Sequence, residues 1–308
     1  MTITAKIIAD SINPWGKRIT TFELEFPRIV LPEFNTHRLF SRNAASSRAI
    51  PIKAVIEQVK TNPAMPFKFG KNQPGMQAKE NLKGLELEAA IGVWLAARDS
   101  AVAHAEVLAD IGLHKQVVNR LLEPFQHIKV VMTTTEYENW KWLRLHTDAD
   151  PTIYELARAM EVARNESKPV ELAEGKWHMP YVSQGFVDDM QTFFAEDNSV
   201  LTAEQALKVS ASCCAQVSYR KNDGSVEKAE MVYDRLVASE PVHASPLEHQ
   251  AMVMNKEAEE DSGITAIAFN LSNNINPSDK EVMNAVQSGN FSGGWIQYRQ
   301  LVPNNVKM

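Results

Sequence analysis

The sequence predicts an α+β fold, and three observations carry that reading. Residues 18–31 alternate apolar and polar side chains closely enough for a strand or hairpin arm, with Ile19, Phe22, Leu24 and Phe26 as apolar positions. Residues 77–111 hold a long helical pattern with no proline, built on Leu82, Leu85, Ala90, Ile91, Trp94, Leu95 and Leu108. Strand-like runs return at residues 250–254 and 264–271, with the acidic stretch from Glu257 to Asp261 between them as expected of a hairpin tip.

Taken in order, the first strand runs to residue 31, with Pro27 marking an edge or bulge because proline cannot donate to a ladder. A short helix follows at 51–60. Residues 62–75 contain Pro63, Pro66, Gly70, Pro74 and Gly75 and read as a long irregular loop. After the long helix, helical periodicity resumes at 115–122, where Pro124 breaks it, and again at 134–145 and 152–164. The polar stretch 165–175 precedes a surface segment at 177–182, and a weak internal boundary falls within 165–200. Helices are expected at 203–219 and 226–239, separated by the turn Asn222-Asp223-Gly224. Otherwise the chain, 1–308, reads as a single domain.

At 308 residues and 44% apolar content the chain can bury a substantial core. Its net charge of −6 argues against a general nucleic-acid-coating protein, which needs a basic surface, so no nucleic-acid partner is expected and any anion site must be local. The only cysteines, Cys213 and Cys214, are adjacent and suit buried small hydrophobes better than a disulfide or metal cage, which points to a reducing cytoplasm. The N-terminus lacks the layout of a signal peptide, and no run approaches the ~18 apolar residues of a membrane span, so no membrane partner is expected.

The run Thr36-His37-Arg38-Leu39-Phe40-Ser41-Arg42-Asn43-Ala44-Ala45-Ser46-Ser47-Arg48 concentrates arginines, a histidine, hydroxyls and amides directly after the first strand. Guanidinium forks match phosphate oxygens, and serine and asparagine supply the remaining hydrogen bonds. It reads as an anion-binding loop.

The pattern His37-Arg38-x-x-Ser41-x-Asn43-x-x-Ser46-x-Arg48 resembles the R-H-R-x-x-S-x-N-E-x-S-x-R signature of the flavin-dependent thymidylate synthases. Asn119-Arg120-x-x-x-Pro124 and Asn139-x-x-x-Leu143-Arg144 resemble two later motifs of that family. Ala215-Gln216-Val217-Ser218-Tyr219 and His243-Ala244-Ser245-Pro246-Leu247-Glu248-His249 resemble the family's N-terminal A-R-x-S-Y and H-x-S-P-x-E-H, yet here they come after the arginine-rich run instead of before it. The chain therefore resembles a rearranged member whose displaced unit packs close to the loop. A faint echo of Q-W-F-R-H-R in Gly294-Trp295-Ile296-Gln297-Tyr298-Arg299 offers duplication and decay as a second account.

The resemblance implies a central antiparallel or mixed sheet with long helices, a homo-oligomer of tetramer type, and transfer of a one-carbon unit from methylenetetrahydrofolate to C5 of deoxyuridine monophosphate, with FAD and NADPH. By similarity His37, Arg38, Leu39, Asn43, Asn139, Ser245 and His243 would hold the cofactor. Ser46, Ser47, Arg48, Arg120, Arg144 and, at the position of a pyrimidine-holding Gln, Glu33 would hold the pyrimidine deoxynucleotide monophosphate. Arg120 and Arg144 would stabilise charge developing on the base; for both, a structural ion pair is an even alternative. A metal trio of His243, Glu248 and His249 is disfavoured, since a capped helix start at Ser245 explains the segment as well. Departures at Thr36, Ala44 and Glu33 leave three other outcomes in view: hydroxymethylation of the same nucleotide, C5 alkylation of a deoxycytidine nucleotide, or a non-catalytic nucleotide-binding homologue.

Overall fold

The computed structural model describes residues 3–218, 222–254, 289–302 and 305. Tyr219 and the expected strand at 264–271 with its acidic tip lie outside them.

The chain opens with β1 (Thr4–Ile12) and β2 (Arg18–Pro27), then α1 (Leu31–Asn35), β3 (Ser41–Ala44), α2 (Ile52–Thr61), α3 (Gly84–Asp110) and α4 (Lys115–Val118). Next come β4 (His127–Thr134), α5 (Glu138–Arg144), α6 (Pro151–Glu166), β5 (Val170–Glu171), β6 (Trp177–His178), β7 (Ser183–Val187), β8 (Met190–Phe194) and β9 (Val200–Leu201). The described residues close with α7 (Ala203–Ala215), α8 (Val226–Val237), β10 (Ala251–Val253) and β11 (Trp295–Gln297). The main sheet is mixed, in the order β3-β4-β2-β1-β5, antiparallel except for the parallel pairing of β1 with β5. Two three-stranded sheets, β11-β10-β6 and β7-β8-β9, accompany it.

Register explains the layers. Phe22, Leu24 and Phe26 on β2 pair with Met132, Val130 and Ile128 on β4, and these six side chains share one face. That face is buried against Trp140 of α5 and Ile153, Leu156 and Met160 of α6, which recur at helical spacing. Asp150 caps α6, accepting from the Thr152 and Ile153 amides, and Pro151 occupies its first turn.

On the opposite face, the end that carries Thr21 and Thr133 is polar and buried. Thr21 of β2 lies opposite Thr133 of β4, and their hydroxyls share a hydrogen bond of 2.7 Å. Thr21 Oγ1 lies 2.8 Å from His178 Nε2, whose Nδ1 lies 2.9 Å from Ser11 Oγ. Thr133 Oγ1 lies 2.9 Å from His249 Nδ1. His178 ends β6 of the second sheet and His249 lies two residues before its β10, so this Ser-His-Thr-Thr-His chain clasps two sheets together. Nearby, Asn13 donates to the Gly293 carbonyl and the Trp295 indole donates to the Lys17 carbonyl. Gly294 must be glycine there: its φ is +83°, and a Cβ would stand 2.7 Å from the Trp15 ring.

Several sequence expectations change. The strand ends at Pro27, and residues 28–30 form a 3-10 turn. β1 and β4 were not foreseen; β4 occupies a stretch before the helix expected at 134–145, which begins at Glu138. The long helix begins at Gly84, not at 77. The segment 177–182 is largely core: His178 and Met179 are buried, because β6 pairs with β10. Cys213 and Cys214 are free and buried, as expected.

Burial lowers the pKa of both clasp histidines to about 3; Asp10 opposes this at His178, and the neighbouring His178 reinforces it at His249. Below the ordinary histidine value of 6.5 the unfolded chain takes up protons that the folded chain refuses. Stability is therefore intact above about pH 6.5 and falls with acidification toward pH 3, by about 1.4 kcal/mol per pH unit for each ring. Urea midpoints between pH 7 and 5 should drop accordingly, and a His178→Gln, His249→Gln double variant should show a flatter slope. An unaltered slope in that variant would refute the clasp's protonation state.

Candidate functional site

Two cavities draw on the arginine-rich run, one from its first half and one from its second. The smaller, of about 280 Å³, is lined by Thr36 to Phe40, Glu136 and the α5 residues Asn139, Trp140, Leu143 and Arg144. α5 follows directly on β4, so its register is set by the core, and Trp140 anchors it with no exposed surface. The His37 ring stands edge-on to Trp140, with centroids 4.7 Å apart, and stacks on Phe40.

Arg144 organises this cavity. Its Nε donates to His37 Nε2 at 3.0 Å, and Nη2 donates to the Thr36 hydroxyl. Because Nε2 accepts, the imidazole carries its proton on Nδ1 and is neutral. Burial first, then the charges of Arg144 and Arg42, lowers the His37 pKa to about 4. Arg144 and Arg38 have no ion-pair partner among the described residues. Opposite them, Glu136 is held by Lys17 and by the Ser292 hydroxyl; burial opposes its ionisation, but these hydrogen bonds keep the carboxyl below its ordinary value.

The larger cavity, of about 700 Å³, joins distant parts of the chain: Arg42 to Ala44, Ser46, Arg48 and Gln116 on one side, and Ala215, Val217, Ser218, His243, Ser245 and Pro246 among those on the other. None of its described lining residues is acidic. The Asn43 side chain donates to the Cys214 carbonyl at 3.1 Å, and the Ser46 amide donates to Ser218 Oγ at 2.8 Å. The later of the sequence motifs thus pack directly on the loop, the proximity expected of them.

The residues expected from the sequence therefore divide three ways. His37, Arg38, Leu39, Asn139 and Arg144 meet at the small cavity. Asn43, Ser46, Arg48, His243 and Ser245 meet at the large one, so Asn43, His243 and Ser245 stand with Ser46 and Arg48, apart from the other residues expected to hold a cofactor. Glu33, Ser47 and Arg120 line neither. Glu33 is exposed on α1, and its carbonyl accepts from Thr36. Ser47 is buried, with its hydroxyl 3.5 Å from Glu123 and its carbonyl bound by Asn119. Arg120 faces the same Glu123 at 3.8 Å, the ion-pair alternative. Ser245 starts a 3-10 turn through Glu248 for which Ala244 is the N-cap.

Sequence reasoning missed Arg42, Glu136 and Gln116. Arg42 carried a signal, being a third arginine in the run. Glu136 carried none, because the partner that marks it, Lys17, lies far away in sequence.

No family model matches the chain, and no curated protein matches it. Among solved structures it is similar to PolB, a UMP/dUMP methylase from Streptomyces cacaoi bound with 5-Br dUMP, with a TM-score of 0.45 and 14% identity over 54% of this chain and 90% of that one. The same methylase bound with 5-Br UMP gives 0.43 and 15% over 54% and 89%. Thymidylate Synthase X from Helicobacter pylori with FAD and dUMP gives 0.33 and 18% over 47% and 67%.

Replacing Arg144 by Met removes the second-largest cause of the low His37 pKa and the donor that fixes its tautomer. His37 should then titrate above 4 but below 6.5, since burial persists. A proton-NMR titration of the ring checks this, and an unmoved pKa would remove Arg144 from the cavity's electrostatics.

Proposed function

We propose that the chain is a flavin-dependent enzyme that transfers a one-carbon unit from methylenetetrahydrofolate to C5 of a pyrimidine deoxynucleotide, in the manner of dUMP to dTMP. The observation that carries this reading is the large cavity, where Ser46 and Arg48, from the phosphate end of the motif, face His243 and Ser245 with no acid among the described lining residues. The guanidinium of Arg48 is exposed and has no ion pair among the described residues, so it is free to take an anion. Ser46 and Ser245 hydroxyls supply further donors, and the Gln116 amide can donate to or accept from a base edge.

The small cavity suits one part of a flavin cofactor. Arg38 and Arg144 are cations without carboxylate partners, and neutral His37 and Leu39 offer flat or apolar surface. A dinucleotide is larger than the drug-sized ligands that fill cavities of about 300–1,000 Å³, so the remainder must lie beyond this cavity. When bound, FAD would supply the hydride, with NADPH restoring it. This chain's own residues bind, orient and polarise: Arg144, fixed by its bonds to His37 and Thr36, would present a positive charge to the ligand of the small cavity.

A second copy of the chain fits this reading. Among the 27 residues of α3 only Val102 and Ala105 are buried, while Leu85, Val93 and Val107 stand exposed. A homo-oligomer would cover them and could complete the flavin site.

Purified protein should retain or accept FAD with the flavin's yellow absorbance, and should release tritium from C5-labelled dUMP only with methylenetetrahydrofolate and NADPH. Failure to bind FAD at all defeats the enzyme reading. Release from the deoxycytidine analogue alone, or a hydroxymethyl product, would reassign substrate or outcome. Arg48→Ala should weaken dUMP binding by about 2 kcal/mol, as loss of a charge-assisted bond does; unchanged calorimetric affinity would take Arg48 out of the site.

A further inference from the structure

The arginine-rich run contains a guanidinium that the motif leaves at a variable position. Arg42 sits on β3 between Ser41 and Asn43, half-buried, and lines the large cavity together with Arg48. Its Nη1 donates to the carbonyls of His37 at 2.8 Å and Asn35 at 3.2 Å, both in the turn that leads into the small cavity. One arginine therefore touches the wall of one cavity and the backbone of the other.

Its charge is incompletely answered. Among the described residues no carboxylate pairs with it. The acid within electrostatic reach, Glu248, is already engaged by Arg299. Burial pulls the Arg42 pKa down while Glu248 acts in the opposite direction, the condition of a cation that has lost water without gaining a full counter-charge. Buried or half-buried arginines are normally completed by an anion. The large cavity is where one can enter, since its described lining holds two guanidiniums, several hydroxyls and no acid.

We propose that Arg42 binds the anionic group of the large cavity's ligand together with Arg48, and that its bonds to the Asn35 and His37 carbonyls make the filled large cavity steady the turn bordering the small one. The ligand class is a phosphate monoester, whose terminal oxygens can accept from two forks at once. This rests on the nucleotide reading above and adds to it a residue that selects nucleotide over nucleoside and couples the two cavities.

The test is calorimetric, on the full chain. Dissociation constants for dUMP and deoxyuridine are measured for wild type, Arg42→Gln and Arg42→Lys, and FAD affinity is measured with and without dUMP. Arg42→Gln should weaken dUMP roughly tenfold or more while deoxyuridine is unchanged. Arg42→Lys should fall between, because an ammonium keeps the charge and loses the fork. The tightening of FAD by dUMP should shrink in Arg42→Gln. A variant that has merely loosened weakens both ligands alike and keeps the wild-type preference for phosphate, and that result overturns the proposal, as does unchanged dUMP binding. Wild type that binds dUMP no better than deoxyuridine instead defeats the nucleotide reading itself.

Discussion

The structure depends on a buried polar clasp. Thr21 and Thr133 face each other on neighbouring strands of the main sheet, and each reaches a histidine from outside that sheet, His178 or His249. Both imidazoles are without exposed surface, so each hydrogen bond is made in a medium where leaving it unmade would cost more than the modest net ~1 kcal/mol that it contributes. That asymmetry gives the clasp its specificity. An apolar contact would tolerate a sheet sliding by a residue, whereas a Thr–His pair in the wrong register leaves orphaned donors on both sides. Around it pack Ile19, Leu172, Ala251, Val253 and Trp295, which provide apolar burial but less direction.

The clasp matters to the site because the large cavity has two walls of different origin. One is β3 and the loop after it; the other is the segment from Ala215 to Pro246. Asn43, by donating to the Cys214 carbonyl, and Gln297, by donating to Ser41 Oγ and to the Glu248 carbonyl, extend the same seam. Both of these side chains are polar and buried, and both bond across the seam. Arg38, Arg48 and Arg144, by contrast, spend none on a carboxylate among the described residues. The division between groups that hold the walls and groups left open to a ligand runs through the middle of a single thirteen-residue stretch.

Much of this was legible in the sequence, for physical reasons that also explain what was not. The spacing of His37, Arg38, Ser46 and Arg48 is local, and local spacing survives folding, so the cluster could be recognised before its surroundings were known. The packing of the displaced motifs on the loop was legible because tertiary contacts do not depend on chain order. β4 escaped notice because it is buried on both faces from Val130 to Thr134, so no clean alternation marks it. β5, β6 and β9 are two residues long, too short for any period to show. The hairpin of β7 and β8 turns on Asp188 and Asp189, both at positive φ, a turn that Asn-Gly would have announced and Asp-Asp does not. That Ser47 points inward to Glu123 while its neighbours line a cavity is a matter of burial, which one-dimensional spacing cannot carry.

The distance along the chain between the two walls has a consequence for the order of assembly. The bond from Asn43 to Cys214 spans 171 residues, and that from Thr133 to His249 spans 116. Contacts so far apart come late, because the entropy of closing the intervening chain is spent before they return anything. On the ribosome the arginine-rich run emerges early and with its full complement of charge, yet the opposing wall is synthesised well over a hundred residues later. A nascent chain therefore carries one wall of the large cavity long before the other, and the cavity takes shape only once the segment around His243 has been made and docked.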